Sequence, residues 1–329
     1  MLKEQEKLIK EPYLKYIAPS MQLKELQEEL MAAKTRRKLA FVLGNGINRY
    51  AFEKAITWEE LLQDLWEREP ALQNFPKIDK GLSFTEIFDI MCLKKRNGNW
   101  DENIKLSRID ICKKFEKVPF NDQLNKQLAT LCVPILTTNY DGCLDANLKK
   151  HVAKISSTYP FDLYFSDKEI TQDNYGQEFS VWHIHGRYNL QNSIRLGTAD
   201  YMGLLTYTRN YLQKGANLFN VKKVDDPWGV KKYGEKPKEE KYHFSWLEIF
   251  YNCSLCINGL GLAQDETYLR WLLISRKKYL DRIGSNETGW YICASNDLDE
   301  GKKFFLKNVG INIIVIDDLA LRYKDLFSF

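Results

Sequence analysis

Short unbroken apolar runs alternate with longer stretches of helical spacing along this chain. Leu39-Ala40-Phe41-Val42-Leu43, Val133-Pro134-Ile135-Leu136, Ser254-Leu255-Cys256-Ile257, Trp290 to Cys293 and Ile311 to Ile316 are apolar on both strand faces. Strands of that kind are buried on both sides, as in parallel sheets. Phe179 to Gly186 alternates instead, with Val181, His183 and His185 on one face and Trp182 and Ile184 on the other, a strand pattern ended by a glycine. Strands that alternate with helices predict an α/β fold, a Rossmann-like and mostly parallel sheet with helices on both faces.

The helical stretches have their own signals. Pro19-Ser20 opens a helix over Met21 to Lys34 with Leu23, Leu26 and Leu30 on one face, part of an N-terminal helical arm covering residues 1–37. Thr57-Trp58-Glu59-Glu60 has capping-box spacing ahead of Leu61, Leu62 and Leu65. From about residue 70 to 130 three further helical patterns form an insertion between the first two strands, interrupted by a loop at Lys94 to Trp100. Leu144 to Ala153 reads as a helix, and Tyr268, Trp271 and Leu272 mark another after the strand at residue 254.

Composition changes this picture little. The 329 residues are 44% hydrophobic, enough for one large domain over residues 38–329. Lys plus Arg exceed Asp plus Glu by only four, so charge alone does not argue for direct nucleic-acid binding. Tyr207 to Tyr242 carries nine basic and five acidic residues with two prolines and three glycines, which predicts a basic solvated loop. Seven scattered cysteines, no export-type leader and no apolar stretch of membrane-spanning length point to a cytoplasmic protein that is not inserted in a membrane.

The chemistry gathers where strands end. Gly44-Asn45-Gly46-Ile47-Asn48 follows the first strand, Thr137-Thr138-Asn139-Tyr140-Asp141 the second, His185-Gly186 the third, and Asn258-Gly259-Leu260-Gly261 the next. Ligands of open parallel sheets bind at that carboxyl edge. Glycines let a backbone turn tightly and approach a phosphate. An Asn, an Asp and a His meeting there would make a nucleotide site with a reacting end.

These segments resemble a known family. FVLGNGIN looks like the sirtuin GAGIS loop, LTTNYD the TQNID segment, HIHG the histidine-glycine of the sirtuin active site, and NGLGLAQDETYLRWLL the later glycine loop and helix. The order is closest to the sirtuin-like proteins of bacterial antiphage defence, in which Leu196 to Tyr201 resembles a strand-and-DY segment. The resemblance spans residues 38 to about 296. Two departures matter: Cys253-Ser254-Leu255-Cys256 is the only CxxC, too few ligands for the sirtuin zinc module, and nothing after Asn48 resembles the sirtuin PDFR stretch. No metal is therefore expected, and peptide deacylation is disfavoured.

The resemblance implies NAD as substrate, contacted by Gly44, Asn45, Gly46, Asn48, Thr138, Gly259, Gly261 and Asp265. Asn139 would position water or the ribose hydroxyls, His185 would be the general base, and Asp141 would hold the carboxamide or the developing cation; His183 reads as structural. The implied activity is cleavage of NAD to nicotinamide and ADP-ribose as an antiphage effector. Cyclisation, a non-catalytic NAD- or ADP-ribose-binding module, and protein ADP-ribosylation or deacylation are the alternatives. Homo-oligomerisation or a partner, a hexameric ATPase or a prokaryotic Argonaute, is implied by the resemblance, with nucleic acid met only indirectly.

Overall fold

A computed structural model describes residues 19–52, 55–69, 72, 81–94, 99–119, 121–148, 151–153, 163–171, 173–213, 245–264 and 266–329. Its centre is an eight-stranded sheet: β1 Leu39–Leu43, β2 Pro134–Thr137, β3 His151–Ala153, β4 Leu163–Ser166, β5 Ser180–His183, β6 Ser254–Asn258, β7 Gly289–Cys293 and β8 Ile311–Val315. The spatial order is β3-β4-β5-β2-β1-β6-β7-β8. All pairings from β5 to β8 are parallel, whereas β3 and β4 form an antiparallel edge. The chain leaves β1 for β2 on one side and later returns to β6 on the other. That reversal of direction places a topological switch point beside β1, where loops part and leave a crevice.

The alternation of β1 builds both faces. Ala40 and Val42 enter one core with Trp182, Trp246, Phe250 and Tyr268, beneath the helices Trp246–Asn252 and Thr267–Arg282. Leu39, Phe41 and Leu43 enter the opposite core with Leu26, Leu30 and Phe327, under the helix Pro19–Thr35. The apolar stripe of that first helix is thus covered by its own sheet. Cys253 belongs to the first core and Cys256 to the second, so the two thiols of the CxxC point into different layers.

A third core stands over the carboxyl edge of the sheet. Helices Trp58–Glu67, Phe84–Lys94 and Trp100–Phe115 pack Leu61, Leu62, Phe88, Met91 and Phe115 against Tyr140, Ile194 and Leu196. The insertion is pinned there by Arg108, whose guanidinium donates to both oxygens of Asp200 at 2.7 and 2.8 Å.

Four expectations are corrected. Leu144 to Ala153 is not a helix: turns occupy residues 143–147 and His151–Ala153 is an edge strand, because Asp145 is drawn into a buried ion network that a continuing helix would not allow. The strand at Phe179 stops at His183, and His185 stands in the following turn. No strand leads into Asp200; the helix Thr198–Gln213 begins instead, its first amide donating to Asp89 at 3.0 Å. The same helix takes in residues 207–213 of the expected basic loop, and residues 214–242 lie outside the described residues, as do residues 1–18 of the arm and 95–98 of the loop in the insertion.

Candidate active site

Strand register brings the four polar strand ends to one line. Leu43 is paired with Thr137 on one side and Asn258 on the other, and Thr137 with His183. Whatever follows these residues must emerge at one edge. Gly44 donates its amide to Asn258 at 3.0 Å and Gly46 to Gly259 at 2.9 Å, so these two amides join the glycine loops to each other. The glycines are required by that junction. A Cβ on Gly44 would stand 2.7 Å from Leu260 Cα, and Gly259, at φ +68°, would place one 2.9 Å from Gly46 Cα.

Beside the junction lies a cavity of about 250 Å³. Asn45, Thr138, Asn139, Asp141, His185, Gly259, Gly261 and Glu266 supply its polar wall. Trp58, Phe84, Phe115, Tyr140 and Tyr201 supply the aromatic one. Below the roughly 300–1,000 Å³ usual for a drug-sized ligand, it suits a small molecule or one end of a longer one.

His185 is 3% exposed. Burial first, and the charge of Arg195 second, push its pKa down to about 3, so the imidazole is neutral at pH 7. Its Nδ1 is 3.5 Å from the Tyr201 hydroxyl, while Nε2 has no hydrogen-bond partner among the described residues and lies 3.8 Å from Glu266 Oε1. A buried polar nitrogen without a partner at a cavity wall is a ready acceptor for a ligand's proton.

Asn139 is buried and fixed at three points. Its amide nitrogen donates to Thr137 Oγ1 at 3.1 Å, its side-chain Nδ2 to Gly44 O at 3.3 Å, and its carbonyl faces His183 Nδ1 at 3.0 Å. The side-chain oxygen is the group left to face a ligand. Asp141 accepts from Asn48 Nδ2 at 2.6 Å and from the Cys143 amide at 2.9 Å, so Asn48 acts through Asp141 rather than from the cavity wall. His183 is structural in its contacts: Nε2 meets Asp145 Oδ2 at 2.6 Å. Arg187 closes the network with bonds of 2.9 and 2.7 Å to the same carboxylate. Burial alone would raise the Asp145 carboxyl, but His183 and Arg187 outweigh it and hold the group below its ordinary value of 3.8.

Of the residues expected from sequence, Asn45, Thr138, Asn139, Asp141, His185, Gly259 and Gly261 line the cavity; Gly44, Gly46 and Asn48 support that wall; Asp265 lies outside the described residues. Sequence reasoning passed over Glu266, Trp58, Tyr201, Asp145 and Arg187. Trp58 carries a helix signal that hides its second role, and a buried Asp–Arg pair 42 positions apart leaves no local pattern. Among the described residues no group of three or more His, Cys, Asp or Glu is placed to hold a metal ion, and no helix is long and apolar enough to cross a membrane.

A sheet with this switch point, and an Asn, a neutral His and paired glycine loops around a cavity at its edge, defines a Rossmann-like α/β protein with a candidate ligand site at the carboxyl ends of its strands. A family model described as SIR2-like domain matches residues 133–314, more than half of the chain. The chain belongs to the SIR2-like domain family, generally one of NAD-dependent enzymes. Comparison with curated proteins gives no match. Residues 39–48 precede the matched span, and the sheet is what brings them against Gly259.

Proposed function

We propose that this chain is an NAD glycohydrolase, releasing nicotinamide and ADP-ribose, and that it acts in the cytoplasm as an antiphage effector by depleting NAD. The observation that carries the reading is the meeting of Asn139, Asp141, His185, Gly259 and Gly261 around one cavity, with His185 Nε2 left without a hydrogen bond among the described residues. In this reading the nicotinamide end enters the aromatic cavity and the pyrophosphate lies along the joined glycine loops.

Cleavage of the nicotinamide–ribose bond passes through an oxocarbenium-like state, and a water must be held at the anomeric carbon. The Asn139 side chain, tied to Gly44, orients that water or the ribose hydroxyls. Neutral His185 takes the water's proton. Asp141, held by Asn48 and the Cys143 amide, presents negative charge to the pyridinium or the developing cation. The aromatic wall excludes competing water. NAD-depleting activity in a cell requires restraint, which fits an oligomer or a partner protein such as a hexameric ATPase or a prokaryotic Argonaute.

The test is nicotinamide release from NAD over protein concentrations that span the oligomeric states. Asn139→Ala and His185→Ala are expected to lower turnover roughly 100-fold or more, with NAD binding kept within a few-fold. NAD binding without release in every state would instead show a binding module, and O-acyl-ADP-ribose formed from an acylated peptide would show a deacylase.

A further inference from the structure

Glu266 occupies the N-cap position of the helix Thr267–Arg282, yet its side chain makes no capping bond to that helix. The carboxylate turns to the cavity instead, with its side chain 20% exposed and Oε1 3.8 Å from His185 Nε2. Among the described residues, the other groups facing the ring cannot balance a positive charge on it. Tyr201 and Tyr268 present rings at 5.3 and 6.3 Å, and Arg195 adds positive charge, partly offset by Asp200 at 3.7 Å. Arg108 is itself engaged with Asp200, and Asp141 is engaged by Asn48 Nδ2 and the Cys143 amide.

A base that starts neutral must become a cation when it takes a proton, and a fully buried imidazolium is costly without a counter-charge. We propose that Glu266 is a positioning residue of the reaction, set opposite Nε2 to balance the charge that His185 acquires; this rests on the NAD-cleaving reading. The C1′–N bond breaks and its electron pair passes to the nicotinamide nitrogen, which leaves neutral. Water oxygen bonds to C1′, its proton goes to Nε2, and that proton returns to solvent as ADP-ribose departs. At about 4 Å an opposite charge favours the protonated ring most strongly while the cavity is closed to solvent.

The experiment uses the full chain with ¹³C-labelled histidines, His185 being assigned among the four by His185→Gln. Glu266→Gln keeps the shape and removes the charge; Glu266→Asp keeps the charge. In wild type the His185 ring signal is expected to respond to titration of the facing carboxylate, near the ordinary Glu value of about 4.3, and in Glu266→Gln that inflection is expected to be absent. Nicotinamide release is expected to fall roughly tenfold in kcat with KM within about threefold, the carboxylate limb of its pH profile lost with it, and Glu266→Asp is expected to recover most of both. A wild type that turns NAD over while Glu266→Gln matches it in ring-signal titration and kcat overturns the role of Glu266 alone. A wild type that releases no nicotinamide overturns the NAD reading and the catalytic role with it.

Discussion

Asp145 shows how much a single buried carboxylate holds together. It joins the end of β2, through the turn that carries Cys143, to His183 on β5 and to Arg187 beyond the HG turn. Replacing it by Asn leaves Arg187 buried without its counter-charge, and breaking such a pair costs about 3–5 kcal/mol. Asp145→Asn is expected to lower the denaturation midpoint accordingly, measured by urea unfolding. Its folded pKa is depressed, so the stability it contributes is present above 3.8 and lost as pH falls through the lower folded value. His185 acts over a higher window: neutral in the fold to about 3 but protonated in the unfolded chain below 6.5, it draws stability down as pH falls between those values. His185→Gln should therefore flatten the pH dependence of stability from 6.5 towards 3. Two glycines separate backbone need from open space. Gly186, at φ +97°, would place a Cβ 2.7 Å from Ile194 N, whereas Gly261 has nothing within 4 Å. Gly186→Ala is expected to cost about 2 kcal/mol or more and Gly261→Ala almost nothing in stability, so any lost turnover in the latter reports on the ligand.

At the scale of elements, periodicity was legible wherever packing was simple. The first helix spans Pro19–Thr35 against the expected Met21 to Lys34, because Leu23, Leu26 and Leu30 need one continuous face. Leu30 is wholly buried, so Leu30→Ala is expected to cost about 2–5 kcal/mol by thermal or urea unfolding, even though the helix contributes no residue to the cavity lining. The expected capping box at Thr57 is present, with Thr57 Oγ1 accepting from Glu60 N at 3.1 Å and Glu60 returning to the Thr57 amide at 2.6 Å. Elements were misread where a distant partner decides the local conformation. The turn after Asp141 obeys Asp145, Arg187 and His183, and the start of the helix at Thr198 obeys Asp89, 109 positions away. The antiparallel strand β3 fell inside the helix expected at Leu144 to Ala153 and β4 left no prediction, since strands of three and four residues are too short for a periodic signal.

For the molecule as a whole, the order of the strands matters more than their number. Placing β1 between β2 and β6 draws Gly44 and Gly46 to Gly259, and the insertion folds its aromatic face over the same edge. The cavity is thus made by the four strand ends together with the insertion, and a substitution at Arg108 or Asp200 that loosens the insertion bears on the cavity without touching it. Sequence by itself determined the α/β class, the principal parallel strands, the family and the strand-end segments carrying Asn139, Asp141 and His185. Those rest on periods of two and 3.6 residues and on short motifs, which are local properties. Only the tertiary structure decided that the four ends share one cavity, that Gly44 and Gly46 join loops, and that Asp145 and Arg187 secure His183. It alone put Glu266 opposite His185, because burial and long-range charge pairing depend on which distant surfaces meet.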